Sequence, residues 1–315
     1  MTVPRILGVA VAYYAGTRVG TLKGVTRLDG VDVSPLWPAT GIALAALLLL
    51  GTGVWPGITL GTFGSVATLG PFGPSNVAIL AGNTVAPLCS WLLLRRVGFR
   101  VQLDRLRDGM ALVFLGALTG ILISSTVGAG ALALSGTLPL GFWPTWLAWW
   151  TGDAMGVLLV TPFLLVLCRI RLPLPTHRWA ESAAIVVAAV VITPLAVTRS
   201  LTLVFLFFPV LIWAALRFEL AASAPYALFV SVVAILEAAK DIGAFAHYSL
   251  MERLFSLQVL NGSVALTSLL LAATITEQNK LRQGIEEACE ALAKVVKEIA
   301  PEKTRLWPPD RTQRP

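Results

Sequence analysis

Residues 146–168 read WLAWWTGDAMGVLLVTPFLLVLC and carry a single charged side chain, Asp153. A helix needs roughly 20 mostly apolar residues to cross the hydrocarbon core of a bilayer, and this stretch meets that length. Similar stretches recur along a chain that is 56% hydrophobic and 13% charged, with a mean hydropathy of +0.79. Because they run continuously apolar instead of alternating, they favour membrane helices over membrane strands. The sequence therefore predicts an all-α, polytopic transmembrane bundle.

Candidate spans set an upper limit on the number of crossings. Segments 36–51 and 55–69 are short for full crossings and are joined by a Gly51-Thr52-Gly53 turn, so they form either two spans or one tight, partly re-entrant hairpin. We therefore predict eight to ten spans, with a membrane domain over 1–276, a cytoplasmic helix over 277–300 and a disordered tail over 301–315. The ten candidates are 6–20, 36–51, 55–69, 76–94, 108–134, 146–168, 181–198, 201–216, 223–241 and 254–276.

The net charge of +7 is concentrated in short loops between the predicted spans. Loop 135–145 carries no charge, whereas the loops on either side of it in the chain are basic. Cytoplasmic loops of membrane proteins are enriched in Lys and Arg, so both basic loops and, with ten spans, both termini are expected in the cytoplasm. Lys23 and Arg27, in a loop placed outside, oppose this topology. The charge thus indicates contact with membrane lipids and gives no support for a nucleic-acid partner.

Asp153 is the strongest candidate for a functional residue. A charge at the centre of a bilayer is costly, so such a residue faces the bundle interior and is paired, protonated or functional. Gly152 and Gly156 on either side allow a neighbouring helix to pack closely. The sequence leaves two interpretations open: a ligand-binding or switching role, or a structural pairing with a polar residue such as Asn83.

Two helix starts that contain proline and tryptophan add further candidates. In 34–41 (SPLWPATG) and 54–61 (VWPGITLG) the prolines lack an N–H and the glycines lack a side chain, so backbone groups remain free for a ligand. Both segments are also typical of ordinary helix starts with interfacial tryptophans. The predicted ligand-binding set is Asp153, Trp149, Trp150, Asn83, Trp37, Thr40 and Trp55.

A heptad spacing follows the last span. Its apolar positions lie alternately four and three residues apart, which is typical of a coiled coil, although Gly284 weakens the helix by about 1 kcal/mol. A helix lying on the membrane or on the bundle is the alternative. Gln258, an isolated amide in the last span, leads directly into this segment. We therefore predict a homodimer and a signal relay through Gln258, Leu281, Ile285 and Leu292.

The sequence contains no recognisable catalytic motif. Nucleophile motifs, phosphate-binding loops and metal-ligand spacings are absent, and three cysteines lie far apart. We predict that the chain is not an enzyme and needs no cofactor. Two functions remain: a signal-input module that binds a small ligand, or a small-molecule transporter or channel with an intramembrane carboxylate site.

Six motifs follow one another along the chain: 36–44 (LWPATGIAL), 55–61 (WPGITLG), 82–84 (GNT), 149–158 (WWTGDAMGVL), 213–218 (WAALRF) and 257–258 (LQ). In this order they resemble the first class of bacterial membrane-associated sensor domains. The resemblance covers roughly residues 5–276 and implies a receptor-like input module of about eight spans in the bacterial inner membrane, which usually feeds a histidine kinase of a two-component system or a diguanylate cyclase. The sequence shows no kinase, cyclase or PAS domain after the last span, so the effector is a separate protein, the sequence is part of a longer one, or the module acts differently.

Overall fold

The computed structural model describes residues 2–21, 27–28, 31–32, 34–69, 73–138, 141–169, 179–199, 203–239 and 250–299. These ranges are almost entirely helical and form a bundle, which confirms the predicted all-α polytopic fold. Six helical stretches are long and apolar enough to cross a membrane: Pro74–Arg96, Leu106–Leu134, Phe142–Leu167, Trp179–Thr198, Leu220–Ala239 and Glu252–Val296. Two further apolar helices, Pro38–Leu50 and Phe207–Phe218, are shorter. The count of eight to ten crossings stays a prediction.

Each predicted span falls on helical structure, although two spans are divided into several helical segments and the last one lies within a helix that continues to Ile299. The helices are α1 (Thr2–Gly20), α2 (Pro38–Leu50), α3 (Trp55–Leu69), α4 (Pro74–Arg96), α5 (Leu106–Ala111), α6 (Leu122–Leu134), α7 (Phe142–Met155), α8 (Thr161–Leu167), α9 (Trp179–Arg199), α10 (Phe207–Phe218), α11 (Leu220–Ala239) and α12 (Leu250–Ile299). Short 3-10 turns cover Thr52–Val54 and Leu203–Leu206. A two-residue strand β1 (Arg27–Leu28) pairs antiparallel with β2 (Val31–Asp32).

The span predicted over 108–134 is interrupted. A π-helical segment, Leu112–Thr119, follows α5, and a turn separates it from α6. The hydroxyl of Ser90 on α4 donates a hydrogen bond of 2.8 Å to the carbonyl of Gly116, and a Cβ at Gly120 would lie 2.1 Å from that hydroxyl oxygen. α4 therefore contacts the backbone at the interruption. A second π-helical segment, Gly156–Val160, connects α7 to α8.

The main apolar core lies between α12, α11, α10 and the π-helical segments, and residues such as Leu112, Leu159, Phe207 and Val264 are buried in it. α12 runs without a break through the predicted domain boundary at 276–277. Its first half packs in the bundle, whereas every described side chain from 278 to 296 is exposed. The predicted tail 301–315 lies outside the described residues.

Candidate functional site

The carboxylate of Asp153 is buried and bonded from two neighbouring helices. The side chain is 2% exposed. Oδ1 accepts a hydrogen bond from Thr40 Oγ1 on α2 at 2.5 Å, and Oδ2 accepts one from Ser124 Oγ on α6 at 2.9 Å. Asp153 itself belongs to α7, so one carboxylate joins three helices.

Ser124 extends this arrangement to α4. Its Oγ lies 2.7 Å from Asn83 Oδ1 and accepts a hydrogen bond of 3.2 Å from Trp149 Nε1. A hydroxyl carries only one hydrogen, so Ser124 serves both neighbours when it donates to Asp153 and accepts from an Asn83 amide whose NH₂ faces it. Thr40, Asn83, Ser124, Trp149 and Asp153 form what we call the Asp153 cluster, which links α2, α4, α6 and α7.

Bonds to main-chain carbonyls hold α2 against α7 and α8 beside this cluster. The N–H of Trp37 donates a hydrogen bond of 3.0 Å to the carbonyl of Gly152, and Thr161 Oγ1 donates one of 3.0 Å to the carbonyl of Gly41. A Cβ at Gly156 would lie 2.0 Å from the Trp37 carbonyl oxygen. The close packing predicted for Gly152 and Gly156 is therefore present, and α2 is the helix that uses it. Trp37 contributes its backbone to the site.

Besides Trp37, which contributes only its backbone, two predicted ligand contacts do not join the Asp153 cluster. Trp150 Nε1 donates to the carbonyl of Leu118 at 2.9 Å, and its ring stacks on Trp146 with centroids 5.6 Å apart. Trp55 begins α3, is 47% exposed and makes none of the cluster's hydrogen bonds. Both tryptophans occur in the motifs that suggested a site, but Trp55, at a helix start, also suits the membrane interface.

Sequence reasoning missed Ser124, although the run Ser124-Ser125-Thr126 interrupts an otherwise apolar segment. It also missed Asn261, one turn after Gln258 on α12. Asn261 is fully buried, and neither of its side-chain polar atoms has a hydrogen-bond partner among the described residues. A polar side chain in an apolar span was the available signal for both residues.

Gln258 contacts the segment that leads into α2. Its Nε2 donates a hydrogen bond of 3.2 Å to the carbonyl of Pro35. Pro35 lies two residues before Trp37, whose N–H is bonded to Gly152. One short stretch of chain thus connects α12 with the backbone next to Asp153.

A second set of contacts holds α12 at the predicted cytoplasmic end of the bundle. Lys280 forms an ion pair with Asp104, and Glu277 Oε2 accepts a hydrogen bond of 3.0 Å from the N–H of Leu106, the first residue of α5. Asn279 Nδ2 donates to Glu219 Oε1 at 2.9 Å. We call Glu277, Asn279 and Lys280 with these partners the clasp.

The electrostatics of the clasp centre on Asp104. Burial acts to raise the pKa of this carboxyl, but the hydrogen bond and positive charge of Lys280 outweigh burial and hold the pKa below its usual range. Asp104 is therefore ionised at neutral pH. Glu277 caps a helix start at which Arg105 supplies no side-chain cap, and a carboxylate there is favoured by the helix dipole.

The remaining predicted relay residues lie beyond the clasp. Leu281, Ile285 and Leu292 are 63%, 64% and 65% exposed, so they extend away from the bundle. Among the residues that the structure describes, no group of three or more His, Cys, Asp or Glu side chains is arranged to hold a metal ion.

The long apolar helices define a polytopic, all-helical membrane protein. Inside it, the Asp153 cluster forms a buried polar site that links four helices, and α12 extends out of the bundle. The chain belongs to the MASE1 family, whose model matches residues 7–279. This family is a multi-helix membrane sensor input domain found in histidine kinases and diguanylate cyclases, which confirms the resemblance seen in the motifs. No curated protein and no solved structure matches the chain.

Proposed function

We propose that this sensor input domain binds a small ligand or partner in the bundle and relays the event through α12 to a cytoplasmic effector, a histidine kinase or a diguanylate cyclase. The observation that carries the proposal is the course of α12. This one helix contacts the Pro35 segment through Gln258, enters the clasp at Glu277 and continues as an exposed helix. A change in the bundle and a change at the exposed end therefore involve the same rigid element.

The Asp153 cluster is the proposed point of entry for the signal. Its carboxylate oxygens are bonded to Thr40 and Ser124, and the side chain is only 2% exposed, so a ligand reaches Asp153 when one of these neighbours moves aside. Hydrogen bonds to charged groups contribute about 1.5–3 kcal/mol each. Losing the Thr40 bond loosens α2 from α7 and frees the Pro35 carbonyl to move relative to Gln258. A ligand shifts this equilibrium only by its different affinity for the two arrangements.

Co-purification tests the proposed output. The full chain, crosslinked in the membranes of its native host, is expected to retain a histidine kinase or a diguanylate cyclase. The same chain truncated after Thr276 should fold normally but lose that partner, because it lacks the clasp and the exposed helix. Retention of the partner by the truncated chain contradicts relay through α12. Solute uptake into proteoliposomes without such a partner would favour the transporter.

Substitution of Asp153 tests whether the Asp153 cluster is the proposed input. In the full chain, Asp153→Asn should raise amide hydrogen exchange in peptides covering the first turn of α5, because the altered cluster changes how α6 and α12 are held. Thr151→Val is the matched control: Thr151 is two residues away, but its hydroxyl bonds only to carbonyls of its own helix. Equal exchange in the two variants contradicts coupling between the Asp153 cluster and the clasp.

A further inference from the structure

We infer that residues 281–299 of α12 form a parallel, two-chain coiled coil with the same residues of a second copy of this chain. The inference goes beyond the sensor proposal, because it concerns how two chains associate and holds whatever the bundle binds. It rests on the exposure of α12, on the position of each apolar and charged residue around it, and on the orientation that a membrane imposes.

An apolar stripe on α12 is left uncovered past the clasp. Leu281, Ile285, Leu292 and Val295 are between 47% and 65% exposed, and the described residues of the bundle do not cover them. Burying a large aliphatic side chain fully stabilises a protein by about 1.5–3 kcal/mol. A stripe of this kind on a helix that has left the bundle is therefore a strong site for association.

The spacing of the stripe matches a second copy of the same helix. Leu281, Ala288 and Val295 occupy d positions of a heptad, and Ile285, Leu292 and Ile299 occupy a positions. Such a repeat keeps one seam facing an identical seam along the whole segment.

The charges around the seam also fit a parallel pair. Flanking g and e positions face each other across such a pair, and within the segment the facing pairs are Gly284 with Cys289 and Ala291 with Val296. These four positions are small or apolar, so like charges do not face each other there. Glu286, Glu287 and Glu290 lie away from the seam, and Glu298 occupies a g position near the end of the segment.

The same charges argue against the alternative of a helix lying on the membrane. Helices that bind the membrane surface are rich in Lys and Arg on their polar face, which attracts anionic lipid headgroups. Here three carboxylates, Glu286, Glu287 and Glu290, outnumber one cation, Arg282, over the first half of the segment, and Lys294 follows only later. An anionic membrane surface would repel this part of the helix.

The membrane sets the direction of pairing. Two copies inserted with the same topology extend α12 on the same side, and the clasp fixes where each exposed segment begins. The two segments are therefore parallel, and the same residues lie side by side. Three heptads are few for a coiled coil in solution, but attachment to membrane domains raises the effective concentration of each helix for the other.

Cysteine crosslinking tests the inference on the full chain in membranes. Cys89, Cys168 and Cys289 are replaced by Ser, and a single cysteine is introduced as Ala288→Cys at a d position or as Glu290→Cys at the opposite f position. A disulfide requires Cα atoms within about 7 Å, so we expect the Ala288→Cys protein to form covalent dimers at least about tenfold faster than the Glu290→Cys protein. Equal rates, or no dimer from either variant, overturn the inference.

A third variant separates pairing from chance collision. Ile285→Asp in the Ala288→Cys background should slow dimer formation by about tenfold, because it places a charge in the seam. Ile285 is 64% exposed, so the thermal stability of the bundle should stay unchanged. An unchanged crosslinking rate contradicts the seam. Absence of crosslinks would reject the dimer alone, whereas loss of a co-purifying kinase or cyclase with crosslinks intact would reject the sensor proposal alone.

Discussion

The N–H of Trp37 donates a hydrogen bond of 3.0 Å to the carbonyl of Gly152, immediately before Asp153 in the chain. One turn further along α2, Thr40 bonds the Asp153 carboxylate itself. The start of α2 is therefore attached to α7 by a main-chain bond and a side-chain bond at neighbouring levels. Substitutions that affect these contacts separately show how much each of them stabilises the bundle.

Removing the Thr40 hydroxyl is expected to destabilise the bundle. Thr40→Val keeps the shape but leaves a buried carboxylate oxygen without its donor, which costs about 1–3 kcal/mol. The measurement is unfolding of the purified protein in mixed detergent micelles. Thr68→Val is the control, because the exposed Thr68 hydroxyl bonds only to carbonyls of its own helix. Equal losses in the two variants would mean that the Thr40 bond has no special importance.

Adding a methyl group at Gly156 is expected to separate α2 from α7. The Cβ of Gly156→Ala would lie 2.0 Å from the Trp37 carbonyl oxygen, so the backbone has to move. We expect a loss of at least about 2 kcal/mol in the same unfolding assay, or failure to fold. Gly130→Ala on α6 meets no atom within 4 Å and should be neutral or stabilising by up to about 1 kcal/mol. A Gly156→Ala protein as stable as the Gly130→Ala protein would contradict this packing.

Charge exchange tests the clasp. Lys280→Asp places a carboxylate beside Asp104 and should raise hydrogen exchange in the first turn of α5, whereas Lys280→Asp with Asp104→Lys should restore protection. Lys280 is about half exposed, so the pair contributes only about 0.2–1 kcal/mol. Exchange that stays high in the double variant would show that attraction between these two residues does not hold the clasp.

The pH dependence of the clasp follows from the lowered pKa of Asp104. A carboxyl whose pKa is lower in the folded state stabilises that state above its unfolded pKa, about 3.9, and the stabilisation is lost as pH falls through the folded value. Protection of the first turn of α5 against hydrogen exchange, corrected for the intrinsic pH dependence of exchange, should therefore be lost in acid below about pH 4, as pH falls through the folded pKa of Asp104. Loss of protection already near pH 6 would contradict this assignment.

Replacing Asn261 by an apolar residue is expected to stabilise the bundle, unlike the substitutions of Thr40 and Gly156. Its two polar side-chain atoms are buried without a hydrogen-bond partner among the described residues, and each such group costs about 1–3 kcal/mol. Asn261→Leu, similar in size and apolar, should therefore raise the free energy of unfolding. Val264→Ala, one turn away and also fully buried, should lower it. A destabilised Asn261→Leu protein would show that the amide is bonded in the membrane.

The helices could be predicted because crossing a membrane is a property of consecutive residues. Asp153 and Asn83 were identified individually, since polar groups stand out in apolar spans. Their connection through Ser124 could not be predicted, because it depends on which helix faces meet. The clasp was missed for the same reason: Lys280 and Asp104 look like ordinary surface charges until two distant segments are brought together.

α12 contains 50 residues, which at 1.5 Å per residue gives a length of about 75 Å, more than twice the thickness of a hydrocarbon core. The part beyond Lys280 alone measures about 28 Å, so a tilt of about 10° at its base moves the far end by about 5 Å. In the proposed relay this segment would be a lever arm that pivots at the clasp. A tilt small enough to leave the bundle packed would move the far end of α12 by about the rise of one helical turn.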